Sequence, residues 1–310
     1  MKKKIFIDGS AGTTGLRIYE RLAEREDIEL LSLPEELRKN PSSRKEMLNS
    51  ADIAFLCLPD DSAREAVSMI ENENTVVIDT STAHRTLDGW AYGFPELSNE
   101  FKEKILNSKR IAVPGCHASG FIALVKPLID SGILSKDIKL TCHSITGYSG
   151  GGKKMIAEYG ISDRSELLDA PRQYALGQNH KHLKEMKTVC SLKHEPIFCP
   201  IVSDFYSGMT VTVPLFASDL EKGYTVSDIK KLYGDKYNTS IVKYDGSNDD
   251  SMVSAMALSS KDSMEICVFG NEDRILLIAK YDNLGKGASG AAVELMNMIM
   301  GKELEKGLNI

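Results

Sequence analysis

The chain has 310 residues, which is long enough for two domains. Hydrophobic residues make up 42% of it and charged residues 26%, as in an ordinary globular protein, and no apolar run approaches the roughly 18 residues that span a membrane. The formal net charge of −6 at pH 7 argues against nucleic acid or an anionic membrane surface as the main partner.

A glycine-rich segment follows the first predicted strand, Lys4–Asp8, and precedes a predicted helix, Leu16–Leu22. A strand, a glycine loop and a helix in this order are typical of dinucleotide-binding sites, because glycines let the main chain approach a pyrophosphate at the helix N-terminus. The spacing is GxxGxxG rather than GxGxxG, and a tight turn whose glycines serve only packing is the alternative. The residues expected to contact the cofactor here are Gly9, Ser10, Gly12, Thr13, Thr14 and Gly15.

The second predicted strand, Ile28–Leu33, is not followed by the acidic residue that would bind a ribose 2′-hydroxyl. Instead Arg38, Lys39 and Arg44 come shortly after it. Basic side chains in this place favour a 2′-phosphate, and hence NADP over NAD, although a solvated basic loop is the alternative.

Further strands alternate with helix-length segments in the first half of the chain. Ala51–Leu58 and Thr75–Asp79 are predicted strands, and Ser62–Ile70 is a predicted helix between them. Repeated strand–helix units with nearly continuous apolar strands predict a doubly wound parallel sheet of the Rossmann type. Arg85 follows the end of a strand, where ligands of such sheets bind, so it is a candidate for binding a substrate anion; a surface charge is the alternative.

Cys116 follows a strand end and the turn Pro114–Gly115, and it precedes an apolar, helix-length run over residues 118–129. At a helix N-terminus, unpaired N–H groups and the helix dipole favour the thiolate, which is the nucleophilic form of cysteine. A small buried residue is the alternative. The chain has 6 cysteines, none of them in a CxxC pair, and it does not open with the apolar segment of a secretory signal, so we expect reduced thiols and a cytoplasmic location.

From about Lys139 the pattern changes to alternating strands. Such strands predict a mixed or antiparallel sheet, one face of which could be buried in a dimer. The predicted strands are Lys139–Ile145, Phe198–Val202, Ser207–Leu215, Ile241–Tyr244, Ser263–Phe269 and Arg274–Lys280. The segment Thr146–Lys154 between them is rich in glycine, hydroxyl groups and lysine, so it is predicted to be either a cradle for an oxyanion or a flexible surface loop.

The segment Asn179–Glu185 places His180 and His182 two residues apart. If a helix begins at about His182, this histidine shares a face with Glu185, and a carboxylate beside an imidazole suits a general acid–base. The spacing of the possible metal ligands fits no common zinc pattern, so we expect no metal site. These possible ligands are His180, His182, Cys190, His194 and Cys199.

A second glycine-rich segment, Asp282–Gly290, precedes an apolar terminal helix over residues 291–300. Such a segment could provide a second contact for the nucleotide, with Asn283 and Gly285 as the candidate residues.

Taken together, these motifs resemble the N-acetyl-gamma-glutamyl-phosphate reductase family in its shorter form, within the aspartate-semialdehyde dehydrogenase-like superfamily. The matching segments run from residue 9 to residue 292 in the family's order. They are Gly9–Arg17, Val113–Gly120, His180–Glu185 and Asp282–Ala292. One departure is Lys184, where the family's histidine motif leads us to expect proline.

The resemblance implies an enzyme of arginine biosynthesis that reduces N-acetyl-L-glutamyl 5-phosphate with NADPH, giving the 5-semialdehyde and phosphate. Cys116 would form a thioester, and His182, with His180 as the alternative, would transfer protons. Ser119, Ser149 and Gly150, with Lys153 or Arg85, would hold the phosphate.

The resemblance also implies two domains and a homodimer or homotetramer. Residues 1–115, completed by the terminal helix over 286–310, would form the NADP-binding domain. Residues 116–285 would form an α+β catalytic and dimerisation domain with a mixed sheet. The alternatives are aspartate-semialdehyde dehydrogenase and a nucleotide-sensing Rossmann protein without catalysis.

Overall fold

The computed structural model describes residues 2–247 and 252–310. The strands are β1 Lys3–Asp8, β2 Ile28–Leu31, β3 Ile53–Leu56, β4 Val76–Asp79, β5 Ala91–Tyr92, β6 Arg110–Ala112, β7 Thr141–Gly147, β8 Arg172–Gln173, β9 Ile197–Ser203, β10 Met209–Phe216, β11 Val242–Tyr244, β12 Met264–Gly270 and β13 Arg274–Tyr281. The α-helices are α1 Thr13–Leu22, α2 Pro41–Ser50, α3 Asp60–Ser68, α4 Asn99–Asn107, α5 Cys116–Asp130, α6 Gly152–Gly160, α7 His182–Val189, α8 Val226–Lys236 and α9 Gly290–Ile299.

The chain divides into two compact units. The N-terminal unit comprises the chain up to Gly115 together with Ala288–Asn309, and the central unit comprises Cys116–Gly287 with Ile310. Among the described residues, no helix is both long and apolar enough to cross a membrane.

The N-terminal unit is built on a 6-stranded parallel sheet with the strand order β2-β1-β3-β4-β6-β5. Every residue of β3 and β4 is buried, as expected for central parallel strands that are covered on both faces. Side chains from α1, α4 and α9 pack on one face, and side chains from α2 and α3 pack on the other. This arrangement confirms the predicted doubly wound sheet.

Capping side chains fix where two of the helices in this unit begin. The Asn40 side chain accepts a hydrogen bond of 3.0 Å from the Ser43 N–H, and Pro41 occupies the first position of α2. Ser98 caps α4 in the same way. The helix that we expected over 62–70 begins earlier, at Asp60, because the preceding Pro59 already lies outside the helix and its carbonyl accepts from the Ala63 N–H.

The central unit is built on a 7-stranded sheet with the order β11-β12-β13-β10-β7-β9-β8. The pairs β7–β9 and β11–β12 are parallel, and the remaining pairs are antiparallel, which confirms the predicted mixed sheet. Helix α5 is buried along almost its whole length and packs on β10, β13 and α7.

The opposite face of this sheet carries exposed apolar side chains. Along β7, Cys142 and Ser144 are buried, whereas His143 and Ile145 point the other way and are exposed. The strand register places three more exposed apolar residues on the same side, namely Ile197, Phe216 and Leu276. We call these three residues and Ile145 the open face.

The segment Thr146–Lys154 is not the flexible loop that its glycines suggested. Strand β7 continues to Gly147, a short 3₁₀ turn covers Tyr148–Gly151, and α6 begins at Gly152, whose φ is +70°. The Tyr148 ring stacks on the buried ring of Tyr159 in α6, with the centroids 4.5 Å apart, and this contact stabilises the turn. The flexible-loop alternative is therefore wrong, and the oxyanion cradle stays a prediction.

Candidate active site

The glycine loop of the N-terminal unit needs glycine at two of its positions. Gly9 has a φ of +88°, and a Cβ added there would lie 2.3 Å from the Cys57 carbonyl oxygen. A Cβ added at Gly15 would lie 2.4 Å from the Gly9 carbonyl oxygen. Gly12 precedes α1, Thr13 and Thr14 form its first turn, and no side chain caps this helix end. The first N–H groups of α1 are therefore placed to face an anion.

A cavity of about 1060 Å³ lies beside this loop, and its size is in the range of cofactor sites. Its walls include Gly9 and Ser10 of the loop, and Arg38, Lys39 and Arg44 beyond the second strand. The structure thus brings the glycine loop and all three predicted basic residues to one cavity.

Arg44 has a different environment from Arg38 and Lys39. It is buried, its Nη2 lies 2.9 Å from the Asp8 carboxylate, and its Nη1 lies 3.0 Å from the Glu65 carboxylate. These carboxylates balance its charge and give Arg44 a structural role, and its contact with a 2′-phosphate stays a prediction. Arg38 and Lys39, unlike Arg44, are exposed.

Arg85 holds main-chain groups at two strand ends of the N-terminal unit. Its Nε donates to the Val113 carbonyl at 2.9 Å and its Nη2 donates to the Thr80 carbonyl at 2.9 Å. The neighbouring His84 is buried, with its Nδ1 2.6 Å from the Asp79 carboxylate and its ring stacked on Trp90. This structural role of Arg85 was not evident from the sequence, and its binding of a substrate anion stays a prediction.

In the central unit, Cys116 is the first residue of α5 and is partly exposed. The end of β13 and the second glycine-rich segment both lie against it. The Tyr281 hydroxyl donates to the Cys116 carbonyl oxygen at 2.5 Å, and a Cβ added at Gly287 would lie 3.2 Å from the Cys116 Cβ. A cysteine at the start of a helix is the arrangement that the sequence predicted.

His117 is a site residue that sequence reasoning missed. Its Nδ1 lies 2.6 Å from the Ser144 Oγ, and its Nε2 lies 2.7 Å from the Tyr174 Oη. Burial, with a smaller contribution from the nearby His180, lowers the pKa of His117 to about 3. The ring is therefore neutral at pH 7 and links a serine and a tyrosine beside the cysteine.

His180 and His182 both lie close to His117. The ring centroids of His117 and His180 are 5.9 Å apart, and those of His117 and His182 are 5.6 Å apart. Helix α7 begins at His182 as predicted, and His182 and Glu185 are both buried in its first turn. The unexpected Lys184 is exposed on this helix and leaves its start unchanged. The two histidines of the motif thus lie close to His117, the residue that follows Cys116.

The hydrogen bonding of His180 distinguishes its two ring nitrogens. The His182 main-chain N–H donates to the His180 Nδ1 at 3.2 Å. Because Nδ1 accepts this bond, Nε2 is the nitrogen that carries the proton in the neutral form of the ring.

Ser149 and Asn283 contact each other inside the central unit. The Asn283 Nδ2 donates to the Ser149 Oγ at 3.0 Å, and the Asn283 Oδ1 accepts from the Gly208 N–H at 2.9 Å. Both residues are buried. The amide of Asn283, which was predicted to bind the cofactor, thus uses both of its ends for contacts within the unit.

The remaining predicted residues of the central unit differ in exposure. A Cβ added at Gly285 would lie 1.9 Å from the Lys261 carbonyl oxygen, so close packing alone requires glycine there. Gly150 and Lys153 are exposed at the turn and at the start of α6, whereas Ser119 is buried in the first turn of α5. No cluster of three or more potential metal ligands occurs within residues 2–247 and 252–310.

The chain matches two family models. Residues 32–105 match the model described as "Semialdehyde dehydrogenase, NAD binding domain", and residues 116–283 match "Semialdehyde dehydrogenase, dimerisation domain". The first match shows that the N-terminal unit is of the kind that binds a nicotinamide cofactor.

The curated relatives and the solved structures that resemble this chain are two different kinds of enzyme. The N-acetyl-gamma-glutamyl-phosphate reductases of Brucella ovis and Brucella canis are each 46% identical to the chain over 310 residues, which cover 97% of this chain and 100% of theirs.

Aspartate-semialdehyde dehydrogenases have the same fold at much lower identity. The enzyme from Francisella tularensis has a TM-score of 0.73 at 14% identity, with 97% of this chain and 100% of that chain covered. The Vibrio cholerae enzyme II complexed with ASA has a TM-score of 0.71 at 16% identity, with 97% and 99% covered. This similarity shows the fold alone, whereas the full-length identity shows that the chain belongs to the N-acetyl-gamma-glutamyl-phosphate reductase family of the semialdehyde dehydrogenase superfamily.

Proposed function

We propose that this protein reduces N-acetyl-L-glutamyl 5-phosphate with NADPH to N-acetyl-L-glutamate 5-semialdehyde and phosphate, as a cytoplasmic step of arginine biosynthesis. One observation carries the proposal. Cys116 is the first residue of α5, and its neighbour His117 packs against the rings of His180 and His182. The chain that carries this arrangement is 46% identical to reductases of that name. A nucleophile beside potential proton donors is what acyl transfer followed by aldehyde formation requires.

Cys116 begins the reaction. The N–H groups and the dipole at the start of α5 favour its thiolate, which attacks the acyl carbon of the substrate. The bond from that carbon to the phosphate oxygen breaks, phosphate leaves, and the acyl group is held on sulfur as a thioester. When the thioester has been reduced, the carbon–sulfur bond breaks, the aldehyde is released and the thiolate is restored.

An imidazole donates a proton to the carbonyl oxygen while the thioester is reduced. It takes this proton back when the reduced intermediate breaks down to the aldehyde and the thiolate. We place His180 first in this role, because it is partly exposed and its Nδ1 accepts from the His182 N–H, which leaves Nε2 to exchange the proton. His182 is buried beside Glu185 and comes second. This order is the reverse of the one that the sequence suggested.

NADPH, when bound, supplies the hydride that reduces the thioester. The N-terminal unit fits this cofactor, because Gly9 and Gly15 leave the main chain room at the uncapped start of α1 and a cavity adjoins the loop. Arg38 and Lys39 would contact the 2′-phosphate, and they support NADP rather than NAD.

The phosphate group of the substrate would be held in the central unit. Ser149 accepts a hydrogen bond from Asn283, which leaves its own O–H as a donor. The adjacent Gly150 offers a main-chain N–H, and Ser119 and Lys153 are the other candidates from the sequence. Donors of this kind stabilise a developing negative charge when they are fixed in place before the reaction.

We also propose that the protein is a homo-oligomer in which the open face of the central sheet contacts a second copy. Residues 116–283 match a dimerisation domain, and Ile145, Ile197, Phe216 and Leu276 present an apolar surface there. Apolar side chains grouped on one exposed sheet face are typical of a protein–protein contact.

The proposed function is tested in the reverse direction, as the phosphate-dependent reduction of NADP by N-acetyl-glutamate semialdehyde. Wild type is compared with Cys116→Ser and with Cys199→Ser, which removes another partly exposed thiol of the same unit. We expect turnover in wild type and Cys199→Ser and a loss of at least about 1000-fold in Cys116→Ser. Activity with aspartate semialdehyde in place of the acetylated substrate would transfer the assignment to the other dehydrogenase, and binding of NADP without turnover would refute the proposal.

A further inference from the structure

The Tyr281 hydroxyl bridges two main-chain groups in the first turn of α5. It donates to the Cys116 carbonyl oxygen at 2.5 Å, and it accepts a hydrogen bond of 3.0 Å from the Gly120 N–H. In a regular α-helix, the N–H of residue 120 bonds the carbonyl of residue 116. A side chain from β13 therefore shares the hydrogen bond that fixes the main chain of the nucleophile.

The surroundings leave room for the hydroxyl only because residue 120 is a glycine. A Cβ added at Gly120 would lie 2.7 Å from the Tyr281 Oη and 2.8 Å from the Val211 Cβ. The Tyr281 ring is fully buried, so its position is set by packing rather than by solvent. The hydroxyl is thus held at the start of α5 by close contacts on several sides.

The residues that follow Tyr281 form a turn that approaches the side chain of Cys116. The Asp282 carboxylate accepts from the N–H groups of Leu284 and Gly285, at 2.7 and 2.9 Å, and closes a tight turn. This turn leads to Gly287, whose added Cβ would lie 3.2 Å from the Cys116 Cβ. Tyr281 at the end of β13 therefore contacts the carbonyl of Cys116, and the turn that follows leaves no room for a side chain at Gly287 beside the Cys116 Cβ.

Two other buried tyrosines donate to carbonyl groups of α5, but further along the helix. Tyr237 donates to the Ala123 carbonyl at 2.6 Å, and Tyr233 donates to the Leu124 carbonyl. All three hydroxyls satisfy main-chain oxygens of one helix, and of the three only that of Tyr281 reaches the nucleophile. Tyr233 and Tyr237 can therefore serve as controls, because each has a buried hydroxyl that donates to α5 away from Cys116.

We propose that Tyr281 is a positioning residue for Cys116. Its hydroxyl fixes the peptide group of Cys116, and by donating to the carbonyl it reduces the negative potential of that oxygen near the sulfur. The thiolate is then favoured, and the sulfur stays in one place through the formation and breakdown of the thioester. This inference rests on the proposed function only in taking Cys116 as the nucleophile.

The test compares Tyr281→Phe with Tyr237→Phe, since each removes one buried hydroxyl that donates to α5. The rate at which Cys116 is alkylated by iodoacetamide is followed against pH by mass spectrometry of the Cys116 peptide, with no substrate present. Steady-state kcat and KM are then measured with NADP, phosphate and N-acetyl-glutamate semialdehyde. Replacement of Tyr281 by 3-fluorotyrosine, a stronger donor of nearly the same shape, gives a second variant if Tyr281→Phe does not fold.

We expect Tyr281→Phe to move the alkylation profile to higher pH by about one unit and to lower kcat about 10- to 100-fold, with KM changed by less than about threefold. The fluorotyrosine variant should move the profile to lower pH, and Tyr237→Phe should leave the profile and kcat unchanged. An alkylation profile for Tyr281→Phe or the fluorotyrosine variant that coincides with wild type overturns the inference. Because alkylation needs no substrate, a failure of the proposed reductase activity would be seen separately, as absent turnover in wild type.

Discussion

Arg38 and Lys39 are the exposed cations at the cavity of the N-terminal unit, and the choice of cofactor should depend on them. A charged hydrogen bond contributes about 1.5–3 kcal/mol, so we expect Arg38→Ala to raise the KM for NADPH about 10- to 100-fold. The KM for NADH, which lacks the 2′-phosphate, should change little. Steady-state kinetics with both cofactors checks this prediction. Arg64→Ala, which removes an exposed arginine paired with Asp61 in the same unit, is the control. Equal losses for NADPH and NADH would contradict it.

His117 should make the stability of the central unit depend on pH. Its folded pKa of about 3 lies below the ordinary value of 6.5, because burial disfavours the charged ring. The unfolded chain therefore binds more protons between these values, so stability rises with pH across this window and is lost as the pH falls from about 6.5 toward 3.

Between pH 7.5 and pH 5, His117 should account for a loss of about 2 kcal/mol, because one unit of pKa corresponds to about 1.4 kcal/mol. Denaturant unfolding at the two pH values checks this, and His117→Gln should reduce the difference by that amount. His194→Gln, at an exposed histidine of the same unit, should leave it unchanged. A His117→Gln variant as sensitive to pH as wild type would show that the ring is not held neutral by burial.

At the scale of elements, α5 contains a proline that its surroundings compensate. Pro127 has no N–H, so the helix cannot supply a donor to the Ala123 carbonyl, and the Tyr237 hydroxyl donates to it instead. Tyr237→Phe leaves this buried carbonyl without that donor, and we expect the free energy of unfolding to fall by about 1–3 kcal/mol. Tyr224→Phe, which removes a long and exposed bond to the Ser131 carbonyl, should change it by less than about 0.5 kcal/mol. Equal effects of the two substitutions in thermal or denaturant unfolding would rule out this account.

The elements that could be predicted from the sequence are those with a local pattern. The run of apolar residues in β3 and β4, the glycine loop before α1 and the start of α7 at His182 each follow from a few adjacent residues. The helical turn after β7 could not be predicted, because its glycines are also typical of flexible loops, and the stacking of Tyr148 on Tyr159 that orders it gives no local signal.

Contacts between residues far apart in the chain explain what was missed at the site. His117 and Tyr174 are separated by 57 positions, and Cys116 and Tyr281 by 165. Nothing in the sequence near either tyrosine indicates its partner. Likewise the pairing of Arg44 with Asp8 spans 36 positions, so the sequence did not indicate that Arg44 forms a buried ion pair.

At the scale of the whole molecule, the open face of the central sheet should decide the oligomeric state. A glutamate at the centre of an apolar contact is desolvated without a partner, which destabilises association. We expect Ile145→Glu, on β7 between β10 and β9, to weaken self-association at least about 100-fold and to shift the protein toward the monomer.

Sedimentation equilibrium over a range of concentrations checks this, with Leu106→Glu at an exposed leucine of the N-terminal unit as the matched control. Both variants should keep the wild-type circular dichroism, because each replaced side chain is already exposed. An unchanged mass for Ile145→Glu, or a monomeric wild type, would show that the open face is not the contact between copies.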